Sequence, residues 1–236
     1  MLKEGLFREA RPDAVIGFHC VPSLNLGTVG LRRGISNASC DTVTVRVTGK
    51  GGHGAHPDLC VDPVVICAYL LTQLQTVVSR ENLATQPAVL TFGTIHGGTA
   101  PNIIPDEVVM QGTLRTFDET ARRQAMNASC DVLFEKGMPP LVNTPALCDL
   151  IRLSARRVLG DGAVREDLPP SLGSDDFSCI QEACGGQGVQ FLLGTRSEAI
   201  PNSGVGLHVA ENIFPDEALL PAAALLSQIA WDYLRK

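Results

Sequence analysis

The sequence predicts two styles of folding in one chain: an α+β unit with an antiparallel sheet over about residues 40–137, and α/β segments on either side of it. Three observations carry this expectation. From Cys40 onward, Val43, Val45 and Val47 alternate with Thr44, Arg46 and Thr48, the period-two pattern of a strand with one wet face. Through the same block the patterns run strand, helix, strand, strand, helix, strand, which fits two layers. Outside it the strands are short continuous apolar runs, at residues 14–18 and 189–193, as in buried sheets.

In order along the chain, residues 14–18 read as a buried strand leading into His19, and Val29-Gly30-Leu31 as a second, ending at Gly34. Gly49-Lys50-Gly51-Gly52-His53-Gly54-Ala55-His56-Pro57 is expected to be a flexible polar loop. Asp62-Pro63 then supplies an N-cap and a first-turn proline. Behind it Val64, Cys67, Ala68, Leu71, Leu74 and Val78 fall on one face of an amphipathic helix. Strands follow at 89–95 and 107–117, joined by Gly97-Gly98-Thr99-Ala100-Pro101-Asn102. A short helix after Asp118 and a strand near 131–135 complete the block. Pro139-Pro140 and Asn143 read as a linker at roughly 138–143. Thr144-Pro145 caps a helix with Leu147, Ile151, Ala155 and Val158 on one face, and the last helix holds Leu225, Leu226, Ile229 and Tyr233. There is no internal repeat.

With 236 residues the chain can hold one large domain or two smaller ones. Its net charge of −6 is spread along the length, with no basic cluster beyond Arg32-Arg33 and Arg156-Arg157. That argues against nucleic acid or an anionic membrane as partner. No apolar run is long enough to span a bilayer. Met1-Leu2-Lys3-Glu4-Gly5-Leu6-Phe7 carries charge where a signal peptide needs an apolar stretch, so a cytoplasmic location is expected. The eight cysteines then read as reduced thiols, and without a CxxC pair they argue against a zinc ribbon. The sequons at Asn37 and Asn127 would matter only in a secreted protein.

Few residues stand out as carriers of chemistry. His19 follows a buried strand, where open α/β sheets put ligand-binding loops; a strand-end histidine bonded to backbone is the other reading. His208 sits in a glycine-rich loop, Gly204-Val205-Gly206-Leu207-His208. His53 is framed by glycines that leave its imidazole uncovered, as a core histidine seldom is; an exposed surface histidine is the other reading. His56 and His96 are explained as loop or strand polar residues. Asn102 lies in a loop stiffened by Pro101 and Pro105, and Arg115 ends a strand. An amide and a guanidinium fork can together bind a carboxylate, although each is also an ordinary surface residue. Gly173-Ser174-Asp175-Asp176-Phe177 offers adjacent carboxylates that could approach a metal or cap a helix. Serine-hydrolase, phosphate-loop and dinucleotide glycine patterns are absent.

Taken together these segments resemble the M20 metallopeptidases, especially the amidohydrolase branch of hippurate hydrolases, N-acyl-amino-acid deacylases and indole-acetyl-amino-acid hydrolases. The matching segments include Gly17-Phe18-His19, Gly51-Gly52-His53-Gly54-Ala55, Val61-Asp62-Pro63-Val64-Val65, Asn102-Ile103-Ile104-Pro105, Gly112-Thr113-Leu114-Arg115-Thr116-Phe117, Gly173-Ser174-Asp175-Asp176-Phe177 and Leu207-His208, in family order. The resemblance implies an α/β catalytic domain of the phosphorylase/hydrolase type, incomplete here, with an inserted ferredoxin-like α+β lid that also forms a homodimer. On this pattern the catalytic domain takes residues 1–37 and 140–236, and the lid residues 38–139. His19 and His208 match metal ligands, His53 a lid histidine that steadies the oxyanion, and Asn102 and Arg115 lid residues that hold the substrate. The implied cofactor is a pair of divalent ions, zinc, manganese, cobalt or nickel, and the implied substrate a small N-acyl amino acid.

The family's Cys-x-x-His metal motif and Glu-Glu pair, which supplies the general base, have no counterpart in these residues. The expectation is therefore that the chain alone is inactive and poorly soluble, with the sheet's apolar faces and edges uncovered. Two rival readings stand beside it: a non-catalytic dimerisation or binding module, and a fragment of the hydrolase gene. The short stretch from Glu119 to Asn127 also predicts a short second lid helix.

Overall fold

The computed structural model describes residues 1–126 and 132–235. Twelve strands and five α-helices follow one another among them. The first are β1 (Val15–Asn25), β2 (Val29–Gly30), β3 (Gly34–Asn37), β4 (Cys40–Thr48), β5 (Gly52–His53), α1 (Pro63–Thr76), β6 (Ala88–Gly97) and β7 (Ile103–Ile104). Then come β8 (Glu107–Thr116), α2 (Glu119–Met126), β9 (Val132–Met138), β10 (Leu141–Asn143), α3 (Pro145–Leu159) and β11 (Val164–Arg165). The chain ends with α4 (Phe177–Ala183), β12 (Gly188–Arg196) and α5 (Leu219–Leu234). These form two compact units. The first comprises Met1–Ser36, Leu141–Ser171 and Asp175–Lys236; the second comprises Asn37–Pro140 and Leu172–Ser174.

In the first unit the sheet order is β1-β12-β2-β11. Strands β1 and β12 run parallel, from Val15 opposite Gly188 to Val21 opposite Gly194. Val189, Phe191 and Leu193 of β12 are fully buried, and the Phe18 and Phe191 rings stack at 5.7 Å. The core joins Val189 and Phe191 to Leu147, Ile151 and Ala155 of α3 and Leu225 and Ile229 of α5, the residues that helical periodicity predicts.

Residues 141–143, expected as linker, form a short strand instead, with Leu141 and Asn143 buried and Val142 exposed. Asn143 is its anchor: its Nδ2 donates to the Arg32 and Gln190 carbonyls at 2.9 and 3.1 Å, and its Oδ1 accepts the Gln190 N–H at 2.9 Å. A carboxamide can satisfy both backbone groups of a neighbouring strand residue, so a buried Asn does here what a ladder would do. Thr144 occupies the N-cap of α3, yet its hydroxyl serves β12 rather than the helix, accepting from Gly188 N–H at 3.1 Å.

The second unit is a four-stranded antiparallel sheet in the order β6-β8-β4-β9. With α1 and α2 it makes the β-α-β-β-α-β sequence that the patterns predict. Val43, Val45 and Val47 point inward with Val108, Met110 and Leu114, onto Cys67, Leu70, Leu71 and Leu74 of α1. Asp62 caps that helix, its Oδ1 accepting the Val64 N–H at 2.8 Å. The buried face of α1 differs from the predicted one: Val64 and Ala68 lie exposed, as do Val65 and Tyr69. So many positions of α1 are apolar that periodicity alone does not fix which stripe packs inward.

Asp118 caps α2, its Oδ1 accepting the Thr120 and Ala121 N–H groups at 2.8 and 2.9 Å. From α2, Arg122 reaches Asp41 of β4 with two hydrogen bonds, Nε to Oδ2 at 2.6 Å and NH2 to Oδ1 at 2.5 Å. Both side chains are essentially without exposure, at 1 % and 0 %. Asp41 Oδ1 also accepts the Gly137 N–H of β9 at 2.9 Å, and Arg122 NH1 donates to Glu119 at 3.1 Å.

Arg122→Met strands the Asp41 carboxylate in the interior and is expected to cost roughly 3–5 kcal/mol in urea unfolding, with Asp41→Leu plus Arg122→Met recovering much of the loss. A single variant within about 0.5 kcal/mol of wild type would show that the pair does not hold the unit together.

Candidate functional site

The five sequence-predicted site residues divide between the units: His53, Asn102 and Arg115 in the second, His19 and His208 in the first. The backbone segments that carry His53 and Asn102 are brought together, one residue out of step. Strand β5 pairs antiparallel with β7, Gly52 opposite Ile104 and His53 opposite Ile103. The Gly54 N–H then donates to the Asn102 carbonyl at 2.8 Å, extending the contact by one step.

The glycine-rich run around His53 is therefore clamped, where a flexible loop was expected. On one side Lys50 and Val61 exchange two backbone hydrogen bonds, at 2.9 and 3.0 Å. On the other, Gly49 N–H donates to the Asp106 carbonyl and Gly51 N–H to the Asp106 carboxylate, each at 2.8 Å. A Cβ on Gly49 would stand 2.2 Å from the Val61 carbonyl oxygen, and one on Gly51 2.7 Å from that of Ile104. Glycine is needed at these two positions for close approach of backbone, rather than for mobility.

His53 itself is exposed. Its Nδ1 accepts the Ala55 N–H at 3.1 Å. A neutral imidazole that accepts at Nδ1 carries its proton on Nε2, so the outer nitrogen is a donor. The His56 ring lies 5.8 Å away, tilted by 49°. Arg115, half-buried on β8 opposite Val89, donates from NH1 to the Leu172 carbonyl at 3.0 Å, one of five donors of the guanidinium.

In the first unit His19 lies inside β1, opposite Leu192, rather than after the strand. Its Nδ1 is 2.8 Å from the Cys20 carbonyl. A carbonyl can only accept, so Nδ1 carries the proton and Nε2 holds a free lone pair, the form in which imidazole binds a metal. His208 is exposed in the loop between β12 and α5, with φ of 61°, the left-handed region that side chains other than glycine rarely adopt. Asp175 caps α4 by accepting the Phe177 N–H at 2.9 Å, which favours the helix-start reading of that segment. Among the described residues, no three His, Cys, Asp or Glu side chains converge in a way that could hold a metal ion. Nor is any helix among them long and apolar enough to cross a membrane.

Asp106 was not singled out in the sequence. It follows Asn102-Ile103-Ile104-Pro105 and looks there like an ordinary surface carboxylate. The dense glycines at 49–54 are the signal that something must approach them closely.

Comparison with known proteins agrees with this architecture. The peptidase dimerisation domain of M20 enzymes matches residues 35–136. N-acetyl-L-cysteine deacetylase of Bacillus subtilis (strain 168) is 38% identical over 184 residues, covering 72% of this chain and 44% of that protein. Two solved structures share the fold. A putative aminohydrolase from methicillin resistant Staphylococcus aureus has a TM-score of 0.84 at 24% identity, over 99% of this chain and 62% of that one. A dinuclear metal binding peptidase from the M20 family, from Bacillus subtilis, has a TM-score of 0.74 at 23% identity, over 100% and 60%. The fold is thus a mixed α/β one carrying a peptidase dimerisation domain. The chain belongs to the M20 peptidase family. It spans 44% to 62% of the length of the curated relatives it matches.

Gly49→Ala forces its new methyl against the Val61 carbonyl, and a cost of roughly 1–3 kcal/mol is expected in thermal or urea unfolding. Gly162→Ala, with nothing within 4 Å of the added Cβ, serves as the control. Equal stability of the two variants would remove the case for a clamped run.

Proposed function

We propose that the chain is part of a hydrolase acting on the amide bond of small N-acyl amino acids, with His53 as its oxyanion-steadying catalytic residue and Asn102 and Arg115 as its substrate-holding residues. The observation that carries this reading is the β5–β7 ladder, which joins the His53 strand to the Asn102 segment, together with the Ala55 N–H on His53 Nδ1, which leaves the exposed ring's Nε2–H as a donor. A fixed donor of that kind stabilises the oxyanion that forms when an amide carbonyl is attacked. The Arg115 fork suits the substrate carboxylate, and the Asn102 carboxamide can hold its polar atoms. A deacetylase of an N-acetyl amino acid among the relatives supports the substrate class.

His19, through Nε2, and His208 are the proposed ligands of divalent zinc, manganese, cobalt or nickel. A two-metal centre needs about four to six protein ligands. The described residues bring no three donors together, so by themselves they do not fit such a centre, and no step is derived through it. Nor is any carboxylate among the described residues identified as a general base. The chain by itself is accordingly proposed to be inactive. That same feature favours the rival, a non-catalytic dimerisation or binding module, and metal analysis of the purified chain separates the two.

The second unit is the proposed homodimer surface. Helix α1 leaves Val64, Val65 and Tyr69 exposed, and edge strand β6 leaves Ile95 exposed, an apolar surface that a second copy would cover. Sedimentation is expected to show a dimer for the chain and a monomer for Val65→Asp plus Tyr69→Asp. A wild-type monomer at micromolar concentration would rule this surface out.

Hydrolysis of hippurate and acetyl-amino acids by the purified chain, with added Mn²⁺ or Zn²⁺, is expected not to exceed the metal-only blank. Turnover at an ordinary enzymatic rate would overturn the inactivity. Binding of acetyl-amino acids, followed by calorimetry, should weaken on the order of tenfold in Arg115→Met. Unchanged affinity in that variant would overturn the clamp.

A further inference from the structure

We propose that Asp106 is the positioning residue for His53, holding the run that delivers the imidazole even though it lies more than fifty positions away in sequence. The inference rests on the proposed role of His53 in the reaction. Asp106 contacts the run twice: its carboxylate Oδ1 accepts the Gly51 N–H and its backbone carbonyl accepts the Gly49 N–H, each at 2.8 Å. Two residues beyond Gly51 lies His53, on the short ladder whose partner strand, Ile103–Ile104, ends two residues before Asp106. The run, the ladder and Asp106 thus form one closed loop of hydrogen bonds.

The loop leaves few ways for His53 to move. Gly51 has no side chain to separate it from Ile104 and Asp106; a Cβ there would meet the Asp106 carboxylate at 3.0 Å. Gly52 and His53 are held by β7, and Gly54 by the Asn102 carbonyl. At the end of this path the Ala55 N–H meets His53 Nδ1 and selects the tautomer. Apart from the His53 ring itself, the side-chain bond in this path is that of Asp106 to Gly51. A carboxylate is a strong acceptor for a backbone N–H, and mutation can remove it without changing the backbone or the His53 ring.

The test uses the full chain and needs no substrate. The ¹⁵N shifts of the His53 ring and the exchange rate of the Gly51 amide are compared in wild type, Asp106→Asn and Asp106→Ala. Wild type should show the Nε2–H tautomer. Asp106→Asn keeps an oxygen acceptor in place and should retain it. Asp106→Ala should move the two ring-nitrogen shifts toward each other and raise Gly51 exchange by roughly three- to tenfold. Its global melting should stay close to that of wild type, since the carboxylate is exposed. Unchanged ring shifts and Gly51 exchange in Asp106→Ala would overturn the proposal, as would equal loss in Asp106→Asn. Should Asp106→Ala fail to fold, the wild type decides: slow exchange of the Gly51 amide supports the clamp, and exchange at the rate of an open loop overturns it. These readouts report positioning alone, so they separate a failure of the clamp from a failure of the hydrolase reading, which activity and binding decide.

Discussion

Asp41 and Arg122 place two full charges where neither meets water, and the second unit is organised around that arrangement. Burying an ion pair is close to break-even in free energy against apolar residues of the same volume. Its effect here is better sought in specificity. The pairing of β4 with β9 is irregular between Cys40 and Thr42, and at that point the Asp41 carboxylate takes up the Gly137 N–H. One side chain thus replaces a ladder contact, fixes where β9 joins the sheet and anchors α2 through Arg122. A slipped register would separate Asp41 from either Gly137 or Arg122 and leave a buried group unpaired, a penalty of several kcal/mol.

The same economy recurs where polar side chains stand in for backbone. Asn143 satisfies both backbone groups of Gln190. Gln181 Nε2 donates to the Val142, Gly186 and Gly188 carbonyls, tying α4 to the strands around it. Asp106 does so for Gly51. Each satisfies backbone groups that no neighbouring strand reaches with a ladder of its own.

This explains what was legible in the sequence. Period-two alternation at Val43, Val45 and Val47 and helical spacing at Leu147, Ile151 and Ala155 gave the elements, because core burial rewards local periodicity. The side-chain brackets were not legible. Asp41 and Arg122 lie 81 positions apart, and Asn143 reads as a linker residue until Gln190 is beside it. Two-residue strands such as β5 and β7 carry too little pattern to be seen, and with them went the pairing of His53 with Ile103 that brings Gly54 onto the Asn102 carbonyl. The glycines between Gly49 and Gly54 were visible but ambiguous: freedom and tight packing both select glycine, and only the neighbouring carbonyls distinguish the two.

The two histidines best placed for chemistry show where sequence reading must stop. His19 and His53 are the same residue type, each with Nδ1 committed to a nearby backbone group. At His19 that group is a carbonyl, which leaves a lone pair on Nε2; at His53 it is an N–H, which leaves a proton there. A metal ligand requires the first form and an oxyanion donor the second. The proposed division of labour is therefore set by backbone geometry, through Cys20 in an extended strand and Ala55 in a tight turn. At His53 that geometry in turn depends on glycines close enough to be held from both sides.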